Sequence, residues 1–205
     1  MKLFAIKAQL MISIVLFLSA CATIAPPTST TTVTTPKYTW AERQTSLKRI
    51  HQWQINGKIA VQTAQDSGSA SFNWTQINRQ YELSIMGPLG SGSIKLTGQP
   101  GAVLLITADG KSYTAKSAEQ LLAERWGFNL PLSSLTYWIR GLPVPDMTYS
   151  KQLDTENRLS ELTQQGWQIQ FLNYTTVGKN DLPNKLAITS PVLKTKLIIY
   201  SWNAH

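Results

Sequence analysis

The chain has little of what enzymes and metalloproteins use. Its 205 residues include one cysteine, two histidines and 11 aspartates or glutamates. The histidines, His51 and His205, are far apart in the sequence, and no nucleophile-elbow, zinc-protease or phosphate-loop motif occurs. Imidazole and thiolate ligands are too few for a metal site. The sequence therefore predicts no catalytic residue, no metal and no cofactor, and it favours a binding or transfer role.

The one cysteine ends a sequence typical of a bacterial lipoprotein signal. Lys2 and Lys7 precede a short apolar run, residues 10–18, which is typical of a cleaved signal peptide and too short for a membrane span. Leu-Ser-Ala-Cys follows, a lipobox that predicts cleavage before Cys21 and lipidation of its sulfur. A lone thiol forms no internal disulfide, so lipidation accounts for its presence. Alanine rather than aspartate at position 22 favours the outer membrane.

Composition divides the chain into three parts. Residues 1–20 are the predicted signal peptide, residues 21–38 a lipidated N-terminus with a Thr- and Pro-rich flexible tether, and residues 39–205 the folded domain. We expect Cys21 to anchor the domain at the periplasmic face of the outer membrane. The net charge of +8 favours acidic membrane or partner surfaces, whereas no basic cluster indicates nucleic-acid binding.

Hydrophobic periodicity predicts an α+β domain. Thr39 and Glu42 form a capping-box pattern, which predicts a helix over residues 40–51. Short alternating segments on either side of two helical patterns, near 116–130 and 130–143, predict an antiparallel sheet with helices inserted near the middle. Residues 102–107 are almost entirely apolar, which predicts a strand covered on both faces.

Large apolar side chains on one sheet face and in the helices are candidates to line a cavity. They are Ile59, Phe72, Trp74, Leu83, Ile85, Ile94 and Leu96 in strands, and Trp126, Leu135 and Trp138 in the helical part. Two interpretations are open. These residues fill an ordinary core, as in an envelope lipoprotein with a structural or scaffold role, or sheet and helices close incompletely around acyl chains. Composition does not separate the two.

A leucine in a predicted turn needs its own explanation. Residues 86–93 read MGPLGSGS, and Pro88 and Gly90 predict a turn in which Leu89 has no sheet face to pack on. Either Leu89 folds back onto the core or it touches a bilayer, with Met86 beside it. Burying one leucine is worth about 1.5–3 kcal/mol, which orients a tethered protein but does not anchor one.

Two segments resemble the LolB family. They are GPLGSGSIKLTGQPGAVLLITADGKSYTAKSAEQLL, residues 87–122, and LPLSSLTYWIRGLP, residues 130–143. The order of the Pro-Leu-Gly turn, the Gln-Pro-Gly turn, the Asp-Gly hairpin and the Trp-Ile-x-Gly-Leu-Pro segment carries the resemblance, which runs from about residue 40 to the C-terminus. Gly87 stands where the family more often has asparagine.

The resemblance implies an incomplete, half-open antiparallel β-barrel whose open side is lidded by helices over an apolar cavity. It implies a receptor that accepts lipoproteins from the periplasmic carrier LolA and inserts them into the inner leaflet of the outer membrane, without nucleotide hydrolysis. It assigns membrane insertion to Leu89, flanked by Pro88 and Gly90.

The expected partners are therefore a LolA-like carrier, the acyl chains of lipoprotein cargo and outer-membrane phospholipid, and we expect a monomer. Besides the scaffold lipoprotein, a hydrolase with an unrecognised Ser/Asp pair remains as an alternative.

Overall fold

The structure is a computed structural model that describes residues 36–88, 92–126 and 130–205. Cys21, Leu89, Gly90 and the side chain of Trp126 lie outside the described part. The predictions that concern them therefore stay predictions.

The helices are short, and side-chain hydrogen bonds of Thr39 and Ser117 cap the first two. They are α1 (Trp40–Lys48), α2 (Ala118–Trp126) and α3 (Leu132–Trp138). The Thr39–Glu42 capping box is present, as predicted, but α1 ends at Lys48 instead of residue 51, because the chain turns at Arg49 and enters the first strand at Gln52. Within the described residues, no helix is long and apolar enough to cross a membrane.

Eleven strands form one sheet. Their bounds are β1 Gln52–Gln62, β2 Ser67–Ile77, β3 Gln80–Met86, β4 Ile94–Gln99, β5 Ala102–Thr107, β6 Ser112–Ala115, β7 Tyr149–Leu153, β8 Leu159–Gln164, β9 Trp167–Val177, β10 Asn180–Thr189 and β11 Lys194–Ala204. Strand β7 was not predicted, because four of its five residues are exposed and its pattern does not alternate. The Asp109–Gly110 turn joins β5 to β6, as predicted, with Gly110 at φ 78°.

The sheet is an antiparallel meander that does not close. Its order is β6-β5-β4-β3-β2-β1-β11-β10-β9-β8-β7, so every neighbour is consecutive in sequence except β1 and β11. Strands β6 and β7 are therefore the two edges, and the connection between them carries α2 and α3. This architecture confirms the predicted α+β fold with an incomplete barrel.

Because all neighbouring strands are antiparallel, alternate connections lie at the same end of the sheet. We call the end where β3 stops at Met86 and β4 starts at Ile94 the hairpin end. The turns β1–β2, β5–β6, β8–β9 and β10–β11 share it, whereas the β2–β3 and β4–β5 turns lie at the opposite end.

The buried core lies between the sheet and the helices. Leu121, Leu135 and Trp138 of the helices join strand residues such as Leu105 and Ile169 in one cluster. Strand β5 differs from its prediction: Val103 and Leu105 are buried, but Ile106 is 36% exposed, so only one face is fully covered.

An apolar cavity as the candidate functional site

An apolar cavity of about 300 Å³ lies between the sheet and the helices. Aliphatic and aromatic side chains make most of its wall, and none of the described residues that line it is charged. Its lining residues are Ile59, Val61, Gly68, Ser69, Ala70, Phe72, Trp74, Leu83, Ile85, Gly92, Ile94, Leu96, Leu122, Leu130, Leu132, Leu135 and Leu197. A void with such walls suits hydrocarbon and offers water few partners.

Strand register brings the sheet side of this wall together. Ile59 lies opposite Ala70, Trp74 opposite Leu83, and Leu83 opposite Leu96. Successive side chains of a strand point to opposite faces, so these alternating positions all face the helices. The wall follows β1 to β4 towards their hairpin ends, because Val61, Gly68 and Ile94 lie at or near the ends of their strands.

The helical side of the wall consists of leucines from α2, α3 and the residues between them. Leu122 comes from α2, Leu132 and Leu135 from α3, and Leu130 precedes α3. The two helices are linked by Glu119, whose Oε1 accepts hydrogen bonds from the Ser133 backbone N–H at 2.9 Å and its hydroxyl at 2.8 Å. The Arg125 guanidinium lies 3.6 Å above the ring of Tyr113 and joins α2 to β6.

Helix α3 is held by buried polar bonds as well as by leucines. Trp138 is fully buried, and its indole N–H donates to Oε1 of Gln164 at 3.1 Å. The same oxygen accepts from the Val144 N–H at 2.8 Å, and Gln164 Nε2 donates to the Val144 carbonyl at 2.9 Å. Arg140 donates from Nη1 to the Ile50 carbonyl at 2.7 Å, and burial lowers the pKa of this guanidinium.

The structure brings eight of the predicted cavity residues together around one void. They are Ile59, Phe72, Trp74, Leu83, Ile85, Ile94, Leu96 and Leu135. It places Trp138 elsewhere, against Trp167 with ring centroids 6.2 Å apart, because its N–H needs the buried Gln164. Trp126 and the turn residues Leu89 and Gly90 are not tested, and Pro88 is exposed.

Several residues that line the cavity are not among the predicted ones. Val61 and Leu122 follow the same periodicity as the predicted residues, so the pattern already contained the signal. Leu197 becomes a neighbour only because β11 pairs with β1, with Ile59 opposite Leu197. That pairing joins residues from the two ends of the domain, and no local sequence pattern predicts it.

A second, polar cleft lies at the opposite end of the sheet. It has a volume of about 750 Å³, and Lys48, His51, Arg79, Lys116 and Arg140 line it together with Glu119. A wider and shallower depression of about 1240 Å³ runs over β2 to β6 with a mixed lining. In residues 36–88, 92–126 and 130–205, no three His, Cys, Asp or Glu side chains come close enough to hold a metal ion.

The fold of this chain is shared with solved structures of one class of proteins. The fold is similar to a LolA superfamily protein from Nitrosomonas europaea, with a TM-score of 0.52, 9% identity, and coverage of 82% of this chain and 94% of that chain. A putative outer membrane lipoprotein-sorting protein domain from Vibrio parahaemolyticus gives a TM-score of 0.55 at 11% identity, over 81% and 91% of the two chains. The chain thus has the LolA-type incomplete barrel.

Sequence comparison identifies the family within that class. Residues 51–202 match the family described as outer membrane lipoprotein LolB. An outer-membrane lipoprotein LolB of Pseudomonas putida F1 is 40% identical over 163 residues, 80% of each chain, and one of Coxiella burnetii Dugway is 38% identical over 187 residues, 91% of this chain and 88% of that one. The chain belongs to the LolB family, a family of lipoprotein-localisation factors, and the resemblance inferred from its motifs is confirmed.

Proposed function

We propose that this LolB family member receives lipoproteins from a LolA-like periplasmic carrier, holds their acyl chains in the apolar cavity and releases them into the outer membrane. Family membership and the LolA-type fold support the receptor role in the Lol pathway and the outer-membrane location. The observation that carries the acyl-binding step is the cavity, because its wall is almost wholly hydrocarbon. Each methylene moved from water into such a site contributes about 0.8 kcal/mol.

The cavity must widen to accept cargo. Its volume of about 300 Å³ is at the lower end for small-molecule sites, equivalent to about ten water molecules, and several long acyl chains need more. Helix α3 and the residues after it are fixed by the buried bonds of Trp138 and Arg140. The polar contacts of α2, from Glu119 to Ser133 and from Arg125 to Tyr113, lie at the surface, and its Leu122 meets the cavity through alkyl contacts. We therefore assign the opening movement to α2, since alkyl contacts can be exchanged for contacts with acyl chains.

Release is proposed to follow from contact with lipid. The domain is tethered through a lipidated Cys21 at the periplasmic face, and Leu89 enters the bilayer surface between Pro88 and Gly90. The acyl chains then partition into the phospholipid, which offers them a larger apolar phase than the cavity does. Leu89 supplies positioning rather than the energy of transfer. The domain acts as a monomer.

Filling the cavity tests the acyl-binding step. Ala70 lines the void, so Ala70→Trp should occupy it and reduce binding of a fluorescent fatty-acyl probe at least tenfold, while circular dichroism and the melting temperature stay near wild type. Ala60 follows Ile59, the partner of Ala70, along β1 and is exposed on the outer face, so Ala60→Trp is the matched control. Equal probe binding by the two variants would favour the scaffold role.

A charge introduced at Leu89, in the predicted turn of residues 86–93, tests the release step. We expect Leu89→Glu to keep the fold and cargo binding but to slow lipoprotein transfer into liposomes, because a carboxylate cannot enter hydrocarbon without a large desolvation penalty. The control is Leu89→Met, which keeps an apolar side chain of similar volume. If Leu89→Glu transfers cargo as fast as wild type, the turn has no part in insertion.

A further inference from the structure

We infer that the β10–β11 turn, residues 190–193, together with Lys194 and Lys196, forms a second contact with an anionic phospholipid surface. This contact is separate from residues 86–93, and it rests on the proposed function at the membrane. Its central observation is Val192, which is 73% exposed at the tip of a turn and is the most exposed large apolar side chain in the described part of the chain.

The turn is ordered, so the exposure of Val192 is built into the fold. The Ser190 N–H donates to the Leu193 carbonyl at 2.8 Å, and the Leu193 N–H donates to the Ser190 hydroxyl at 3.1 Å. Leu193 is 1% exposed and anchors the turn in the core. Leu193 is thus held inward while Val192 beside it stays exposed to solvent.

Cations follow the apolar tip along the outer face of β11. Val192, Lys194 and Lys196 are exposed, and the residues between them, Leu193 and Thr195, are buried. The neighbours of Lys194 on the flanking strands are Gln62 and Thr189, and those of Lys196 are Ala60 and Ala187. In the described residues neither lysine makes an ion pair with a carboxylate, so both ammonium groups are available to phosphate.

The position of this turn fits a membrane contact. Strands β3 and β10 run in the same direction, so the β10–β11 turn lies at the hairpin end, about four strand spacings or 19 Å from the β3–β4 connection along the sheet. Five of the eight exposed large apolar side chains in the described residues lie at that end: Met86, Ile106, Met147, Tyr149 and Val192. The cavity wall extends towards the same end.

An apolar tip flanked by lysines matches the layers of a phospholipid surface. Valine reaches the acyl boundary, and Lys194, two residues or about 7 Å further along the strand, lies at headgroup depth. Lysines near an anionic leaflet each strengthen binding about fivefold. Two contacts separated by four strands along the sheet would fix the tilt of the domain, which one tether and one turn leave free.

A probe at position 192 tests this inference in the full-length lipoprotein reconstituted into vesicles. Val192→Cys is labelled with an environment-sensitive fluorophore, and Tyr200→Cys, which is also on β11 and 62% exposed, is the control. In phosphatidylglycerol-containing vesicles we expect a blue shift and protection from acrylamide at position 192 only. The double variant Lys194→Gln and Lys196→Gln should have a smaller share of molecules whose turn contacts the membrane. We expect the ratio of contacting to free molecules to fall about 25-fold.

Two results would overturn the inference. One is equal quenching of the probes at positions 192 and 200 in anionic vesicles, and the other is a shift at position 192 that appears only when the carrier protein is added. Lipoprotein transfer is measured on the same samples with unlabelled protein. Normal transfer with no shift at position 192 rejects the second contact alone, whereas absent transfer by wild type rejects the proposed function.

Discussion

A single glycine decides how β1 and β11 meet. Their register shifts between Asn56 and Gly57, and a side chain at Gly57 would collide with the backbone carbonyl of Ile198 and press on the ring of Phe72. This pairing joins the two halves of the meander and places Leu197 beside the cavity. Because Gly57 has no side chain, β1 and β11 can pair in this register, and the pairing gives the cavity its shape.

We expect Gly57→Ala to destabilise the domain by about 1–3 kcal/mol, the usual effect of forcing extra volume into a packed region. Urea denaturation at constant pH measures the change. Gly68→Ala is the control, because nothing lies within 4 Å of its added methyl group, and a change within about 0.5 kcal/mol is expected. Equal effects of the two substitutions would mean that β1 and β11 can separate locally without loss.

A partly buried ion pair attaches helix α1 to strand β10. Arg43 is 8% exposed, its Nη1 donates to Asp181 of β10 at 2.9 Å, and its Nε donates to the Glu156 carbonyl at 2.9 Å. Burial alone would raise the pKa of Asp181, but the hydrogen bonds from Thr176 and Arg43 outweigh it and hold the pKa below its ordinary value. The attachment is therefore stronger with Asp181 ionised.

The sign of the pH dependence follows from that pKa. A carboxyl group whose pKa is lower in the folded state stabilises the fold above its unfolded pKa of about 3.9, and this stabilisation is lost as pH falls through the folded pKa. We expect Asp181→Asn to reduce the free energy of unfolding by about 1–3 kcal/mol at pH 7, since Arg43 loses its partner, and the difference from wild type to shrink below pH 4.

Chemical denaturation of both proteins from pH 7 to pH 3 measures this difference. Glu82→Gln is the matched control: its partner Lys95 is 3.0 Å away, but both side chains are about half exposed, and such surface pairs contribute little. A constant gap between wild type and Asp181→Asn across the whole pH range would contradict the account.

Elements differ in how far their sequence revealed them. The capping box of α1 and the Asp-Gly turn between β5 and β6 are local signals, and both are confirmed. Strand β7 was missed because an exposed edge strand needs no alternation. The prediction that both faces of β5 are covered was wrong for one face. Apolar composition does not show whether another element covers a face, and Ile106 is only partly covered.

At the scale of the whole molecule, attachment to the membrane is proposed to depend on one thiol. Residues 36–205 as described contain no helix that could cross a bilayer, and the chain's only cysteine is Cys21. We expect Cys21→Ala, with residues 1–20 replaced by a signal peptide that is cleaved without a lipobox, to move the protein from the membrane fraction to the soluble periplasmic fraction, because two or more acyl chains are needed for stable anchoring. Cell fractionation and the mass of the mature protein measure the change.

Ser29→Ala, also in the predicted tether, is the control for that experiment and should leave the protein membrane-bound. A Cys21→Ala protein that has the mass of the cleaved form and stays in the membrane fraction would show that another part of the chain is sufficient for attachment. The probe at Val192 then identifies whether the β10–β11 turn is that part.

The sequence by itself determined every strand of the sheet except β7, the family and most of the apolar face. Seven predicted strand residues line the void because side-chain alternation is a local property of each strand, readable without knowing its neighbours. Tertiary structure alone decided that β1 pairs with β11, that Trp138 bonds to Gln164 away from the cavity, and that Val192 and Met86 share one end of the sheet. These features depend on contacts between residues that are distant in sequence, and such contacts produce no periodic pattern of residue types along the chain.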